Sequence, residues 1–379
     1  MNDACTAPIR GSTGAPRRAS LPFSARKQLC PGLGPRPFRA LRLPPGLRLL
    51  PWLRLLLALG LAAPGAAAAA DPAAPAADRP HETLLDEDFT ALDLFDGIRR
   101  LRPRIRSIGD TTIAQDFGSA EVDRFESGVR ASVVAPLSRA LVIRLVGETS
   151  GAVFDFRGNE GFLDSGRSTR PGGGARDPFD ELLTSRLRLE GRYQLFDDWA
   201  LVGGAELASR WEAGSQFARG LQPAGLFGVA HLFRERFSIV LGLAVRSGLV
   251  GHGARLSPVA QLGWRVTDDI EIETRGMGLN VAARVNAQLT LYLRGGLRSA
   301  NYRLDDRGAR VGRGSLRDRS LPLRLGGRWK ITKHWRLRGF AGAVLYQRYA
   351  VYDTNGKFFD STSSRSPAFT GRLDIEYRF

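Results

Sequence analysis

The sequence predicts an all-β fold, a closed antiparallel up-and-down β-barrel that spans a membrane. Three observations predict it. Apolar and polar residues alternate with a period of two from about residue 103 to the end of the chain. The connections between these runs are alternately short and long, and aromatic residues gather near both kinds of connection. Together these features favour a barrel in lipid over a soluble β-sandwich.

The alternation is clear in residues 184–195, where Leu187 and Leu189 alternate with Arg186 and Arg188. Successive side chains of a strand point to opposite faces, so this run has one apolar and one charged face. In a membrane barrel the apolar face meets lipid and the charged face meets the lumen. The pattern alone fixes a strand and does not choose between lipid and a protein core.

The connections give the strand number. Six short turns imply about fourteen strands if residues 103–116 form the first strand, and twelve is the alternative if residues 271–281 form one bent strand. The link at 276–277 is short where a long one is expected. The predicted short turns lie at 135–140, 196–198, 233–236, 267–269, 286–287 and 332–334, and the long loops at 155–181, 211–221, 248–256, 304–319 and 353–366.

Aromatic residues predict two belts at the membrane interfaces, where amphipathic rings are favoured. Those near the short turns are Phe196, Trp199, Phe233, Phe237, Trp264, Trp329 and Trp335. Those near the long loops are Phe154, Trp211, Tyr302, Tyr346, Tyr349 and Tyr352.

The chain before the barrel divides into two segments. Residues 1–70 form a leader whose apolar run and small residues ending at Ala70 predict a cleaved secretory signal peptide, with a retained anchor as the alternative. Residues 71–101 form a Pro/Ala linker and a short amphipathic stretch, either a tether or a plug. The barrel is predicted over 102–379.

Composition excludes several classes of function. Ten of the 55 basic residues lie in the leader with one acid, so the remaining 45 basic and 37 acidic residues leave a small, interleaved positive excess. This distribution argues against nucleic-acid binding. Cys5 and Cys30 are the only cysteines, so disulfides and thiol catalysis are excluded after the leader.

The last strand carries the most specific signal. The segment FTGRLDIEYRF, residues 369–379, alternates strictly and ends on an aromatic residue. It resembles the terminal strand of bacterial outer-membrane β-barrel proteins, most closely the uncharacterised barrel families. The resemblance implies an outer-membrane location, contact with lipids, and recognition by the barrel-assembly machinery and periplasmic chaperones. The residues it implies as the assembly signal are Leu373, Ile375, Tyr377 and Phe379.

The lumen is where function is expected. Charge ladders between arginines and carboxylates predict a structural or docking barrel with a filled lumen, and the arginine excess keeps open a narrow channel for small anionic solutes. A membrane-embedded enzyme or a soluble sandwich that binds a ligand is a weaker alternative. The predicted lumen-facing residues are Arg186, Arg188, Glu190, Arg192, Arg294, Arg298, Arg324, Arg328, Arg372, Asp374 and Glu376.

No motif predicts catalysis, a metal or a cofactor. The four histidines are scattered along the chain, and no nucleophile, base and orienting group stand out. The segment 353–360, DTNGKFFD, loosely resembles a calcium loop, but its TNG sequence favours a hairpin turn. We therefore predict that the protein is not an enzyme.

Overall fold

The computed structural model describes residues 101–118, 120–158, 178–249, 253–305 and 314–379, with the backbone alone at Arg275. The predictions for residues 1–100, and parts of the long loops predicted at 155–181, 248–256 and 304–319, lie outside these ranges. No helix among the described residues is long and apolar enough to cross a membrane. The strands are β1 Arg102–Asp116, β2 Glu121–Pro136, β3 Leu141–Arg157, β4 Glu181–Gln194, β5 Trp199–Glu212, β6 Leu221–Phe233, β7 Phe237–Ser247, β8 Ala254–Thr267, β9 Ile270–Arg275, β10 Gly278–Arg284, β11 Leu289–Gly296, β12 Arg298–Arg303, β13 Ser315–Lys330, β14 Trp335–Tyr352, β15 Phe358–Ser363 and β16 Ala368–Arg378.

The strands close into one antiparallel wall. From β1 to β11 each strand pairs with the next, β11 and β12 both pair with β13, and β13 pairs with β14, which pairs with both β15 and β16. The last strand, β16, returns to β1 in a register that runs from Arg104 opposite Arg378 to Ile113 opposite Phe369. Closure satisfies the backbone N–H and C=O groups of the first and last strands, which would otherwise form open edges.

The sixteen segments make fourteen wall strands, as predicted. The segments β11 and β12 pair with successive halves of β13, so they belong to one strand, and β15 and β16 share β14 in the same way. Residues 271–281 form two strands joined at Gly276 and Met277, so the alternative of twelve is wrong.

The short turns lie together at one end of the barrel, which we call the inner end. In three of them a side-chain oxygen accepts a hydrogen bond from the backbone N–H three residues later. The acceptors are the side chains of Ser138, Asn286 and Thr332, with donor–acceptor distances of 2.9, 2.8 and 3.0 Å. Such local hydrogen bonds favour tight turns and fix the register of the strands they join.

The two faces of each strand differ as the alternation predicts. Leu189 is 48% exposed on the outer surface, whereas Arg188 points inward and bonds Glu206 at 3.0 Å. The predicted inner belt is confirmed, because its aromatic side chains lie exposed near the short turns. The most exposed are Phe196, Trp199, Phe233, Trp264, Trp329 and Trp335.

A pair of substitutions on β4 tests the two faces. Leu189→Arg should destabilise the barrel by about 2–4 kcal/mol, because an arginine near the bilayer midplane is desolvated. Arg188→Leu should cost less, since Glu206 keeps Arg186 at 3.5 Å and Glu190 keeps Arg144 at 3.6 Å. Urea unfolding of the barrel in lipid vesicles measures both. Equal losses in the two variants would mean that the faces are assigned wrongly.

Candidate functional site

The lumen encloses a cavity of about 570 Å³ in its central part. Nine arginines and six carboxylates line it, so its charged side chains carry a positive excess. The arginines are Arg124, Arg186, Arg188, Arg210, Arg246, Arg294, Arg298, Arg324 and Arg372, and the acids are Asp110, Glu126, Glu148, Glu206, Glu273 and Asp318.

Ion pairs cross the cavity wall from strand to strand. The guanidinium of Arg324 donates to both carboxylate oxygens of Asp110, at 2.7 and 2.8 Å, and to the hydroxyl of Thr370 at 2.7 Å. Arg188 donates to Glu206 at 3.0 Å and to Glu190 at 3.2 Å. Bidentate and charge-assisted contacts of this kind hold long side chains in one geometry.

Some of the cavity arginines have no acid at ion-pair distance. Arg246 of β7 and Arg298 of β12 line the cavity. Arg255 of β8 lies directly opposite Arg246 in the strand register. Among the ion pairs within the described residues, none involves these three side chains.

An aromatic cluster is buried inside the barrel toward its outer end. Phe179 packs on Phe154, Phe156 and Tyr349, with ring centroids 4.9, 5.2 and 5.5 Å apart. These contacts have the tilted and edge-on geometry that aromatic pairs prefer. We call this group the outer aromatic cluster, and its rings are Phe117, Phe154, Phe156, Phe179, Tyr302 and Tyr349.

The outer aromatic cluster corrects one prediction. Phe154, Tyr302 and Tyr349 were expected in a lipid-facing belt, but all three are buried inside the barrel. A bulge at Leu345 also shifts the phase of β14. Tyr346 therefore lies outside the barrel, whereas Tyr349 lies inside it.

Buried ion pairs line the inner end of the lumen on the neighbouring strands β1, β14 and β16. Glu376 is 1% exposed and accepts hydrogen bonds from Arg106 at 3.0 Å, Arg338 at 2.8 Å and Arg378. Asp374, which is fully buried, accepts from Arg372 at 2.9 Å. We call the group formed by Arg106, Arg338, Arg372, Asp374, Glu376 and Arg378 the inner ion-pair layer.

The predicted lumen residues lie at two levels. Arg186, Arg188, Arg294, Arg298, Arg324 and Arg372 line the cavity. Arg192, Arg328, Asp374 and Glu376 are buried nearer the inner end, and Glu190 lies beside Arg188. Sequence reasoning missed Asp110 because β1 is poorly patterned, and it missed Arg246 because that residue ends its strand next to a loop.

The structure now decides where the protein resides. The wall is closed, its outer surface is apolar, and its interior is charged, which is the form in which β-proteins cross the bacterial outer membrane. The protein is an outer-membrane β-barrel.

No protein-family model and no curated protein matches the chain. Among solved structures, the toluene transporter TodX of P. putida is 11% identical, with a TM-score of 0.36 over 76% of this chain and 92% of that chain. The translocator domain of the autotransporter NalP from Neisseria meningitidis is 12% identical, with a TM-score of 0.28 over 74% and 88%. The KdgM porin is 9% identical, with a TM-score of 0.27 over 73% and 99%. These weak likenesses carry no argument about function.

Two other features predicted from the sequence are the outward residues at the end of the chain and the turn in residues 353–360. Leu373, Ile375 and Phe379 are exposed on the outer surface, and Tyr377 packs edge-on against Trp335 and Phe379, each at 4.9 Å. The carboxylate of Asp353 accepts from the backbone N–H groups of Asn355 and Lys357, at 2.9 and 2.8 Å. Asp353 therefore stabilises a turn, as the TNG sequence favours.

Proposed function

We propose that this outer-membrane barrel is closed along its axis and serves as a rigid structural or docking barrel, not as an open pore. The observation that carries the proposal is that buried side chains pack inside the barrel on both sides of the cavity. The outer aromatic cluster lies toward one end and the inner ion-pair layer toward the other. Both groups consist of residues on the strands, with Phe117 after β1 and Phe179 before β4, so they belong to the folded barrel itself.

The inner ion-pair layer resists rearrangement because each buried charge is stabilised by an oppositely charged partner. Arg338 on β14 and Glu376 on the neighbouring strand β16 form an ion pair at 2.8 Å, and both side chains are 1% exposed. Breaking a buried pair by removing one partner costs roughly 3–5 kcal/mol, since the other charge stays uncompensated. The outer aromatic cluster adds a second barrier, because its apolar rings offer no ligands to replace the water molecules that an ion loses on entering.

A narrow anion channel is the second candidate function. The observation in its favour is the ratio of nine arginines to six carboxylates around the cavity. Rings of arginine favour anions in pores. The two candidates differ in one measurable property, the axial conductance.

Conductance in planar lipid bilayers tests the proposal. The purified protein should insert, as shown by its heat-modifiable migration on gels, and should carry no resolvable ion current in KCl. Steady anion-selective currents from the unmodified protein would overturn the closed barrel and establish the channel.

A variant with truncated side chains in both groups serves as the control. It combines Phe179→Ala and Tyr349→Ala in the outer aromatic cluster with Arg338→Ala in the inner layer. We expect this variant to conduct and to prefer anions, because the cavity arginines remain in place. A silent variant that is correctly inserted would show that these two groups are not what closes the lumen.

We also propose that Leu373, Ile375, Tyr377 and Phe379 form the signal by which the barrel-assembly machinery recognises the chain. Three of these side chains are exposed on the outer surface of the strand that closes the wall. Deleting Phe379 should therefore lower the amount of heat-modifiable barrel in the outer membrane. Arg378→Gln, an inward change next to it, should leave more barrel than the deletion. Equal amounts of barrel in the two variants would refute the role of Phe379.

A further inference from the structure

The ring of paired strands is continuous, but the wall is shorter at the β9–β10 hairpin than at the strands on either side of it. The strands β9 and β10 have six and seven residues, whereas a strand needs about 9–11 to cross a bilayer. The pairing of β9 with β8 covers only Gln261–Thr267. Among the described residues, no strand pairs with residues 254–260 of β8 on that side. The gap runs for about 24 Å along β8 at the usual rise of a strand.

The other edge of the gap is β12, which is paired with β13 along its whole length and reaches β5 at its end. Its last residue, Arg303, pairs with Trp211 of β5, although β6–β10 lie between these strands in the wall. The side-chain amide of Gln222 donates to the carbonyl of Asn301 at 3.0 Å. The backbone N–H of Asp305 donates to Glu212 at 2.7 Å. Because β12 is held against β5, its edge toward β10 is unpaired in the described structure.

The gap lies within the lipid-facing band. On β8 the inner belt is marked by Trp264, and pairing with β9 stops at Gln261, three residues further on. Outward apolar side chains continue to Leu256, eight residues from Trp264 and 69% exposed. The opening therefore falls in the outer half of the hydrocarbon region. Unpaired backbone groups at this depth are tolerated where they line a polar cavity.

The cavity extends to the gap. Its lining includes Gly278, Gly296 and Leu297, which surround the tip of the β9–β10 hairpin. A Cβ at Gly296 would lie 2.5 Å from the Cα of Gly278, so the two strands meet closely at this rim. Apolar side chains border the opening on the outside. They are Leu256, Met277, Leu279 and Leu297, all exposed.

Arginines that form no ion pair among the described residues line the cavity that reaches the opening. Arg246 and Arg298 line the cavity, and Arg255 lies opposite Arg246. None of the three forms an ion pair among the described residues. An anion reaching this region would complete charge-assisted hydrogen bonds that the protein itself leaves open.

We infer that the gap is a lateral entrance for an anionic amphiphile from the outer leaflet. Its acidic headgroup enters the cavity beside Arg246 and Arg298, and its apolar chain stays in the lipid between Leu256 and Leu297. A water-soluble anion lacks the chain that brings a ligand to this depth, and a neutral lipid gains nothing from the arginines. This inference concerns entry through the wall, so it holds whether or not the lumen conducts along its axis.

Photolabelling tests the entrance. The probe is a fatty acid with a diazirine next to its carboxylate, added to vesicles that contain the full-length protein. The matched probe is the methyl ester of the same chain. The acid should label cavity residues near the gap, such as Asn280 and Ser299, and the ester should label outward residues such as Leu256. Mass spectrometry of the peptides locates the labels.

Charge removal provides the decisive comparison. The double variant Arg246→Gln, Arg298→Gln should lose about tenfold of the cavity label, because it loses charge-assisted contacts with the carboxylate. Arg139→Gln, an exposed change in an inner turn, should keep the full label. Heat-modifiable migration on gels confirms that each variant is folded. Absence of cavity label, equal cavity label from acid and ester, or an unchanged label in the double variant would each overturn the inference. Conductance is measured separately, so failure here leaves the closed-barrel proposal standing.

Discussion

The constraint on which the rest of the structure depends is the pairing of backbone groups in hydrocarbon. Water is absent there, so each N–H or C=O group without a partner costs several kcal/mol. The pairing of β1 with β16 meets this constraint by removing the two free edges. Closure in turn forces every wall strand to present one face to lipid and the other to the lumen. The alternation of Leu189 with Arg188 follows from this geometry.

Closure also determines what the interior must contain. The inward residues of fourteen strands enclose a lumen that holds buried side chains toward both ends and a cavity of about 570 Å³ between them. At the inner end Glu376 holds three arginines, and at the outer end Phe179 lies among three other rings. Among the described residues, 254–260 of β8 lack a pairing partner on the side of β9. Arg246 and Arg298, which line the cavity, form no ion pair among the described residues.

Much of the fold could be predicted from the sequence, because the period of two is imposed locally by the pleat of each strand. The faces of β4 follow from this period, and the number of strands follows from the short turns between the alternating runs. The position of aromatic residues near loops is less predictable. Tyr346 and Tyr349 both lie near a long loop, yet their odd spacing and the bulge at Leu345 place them on opposite faces.

The interior site was predicted only in part. The spacing of charges on β4 and β16 identified the arginines and acids that point inward. The crossing of β12 to β5 could not be predicted, since it depends on contacts such as that between Gln222 and Asn301, which are distant in sequence. The short link at 276–277 was visible as an exception in the sequence. Only the register of β8 and β9 shows that this exception opens the wall.

The most direct test of the central claim, closure of the wall, is a disulfide between the first and last strands. Ser107 lies directly opposite Ile375, at a spacing that a disulfide bridges. In a chain whose Cys5 and Cys30 are replaced by Ser, the pair Ser107→Cys, Ile375→Cys should cross-link in the outer membrane and change the migration of the unreduced protein. The pair Ser107→Cys, Phe379→Cys, four residues out of register, should not cross-link. A failure of the first pair, or equal cross-linking of both pairs, would contradict the closed barrel and its register.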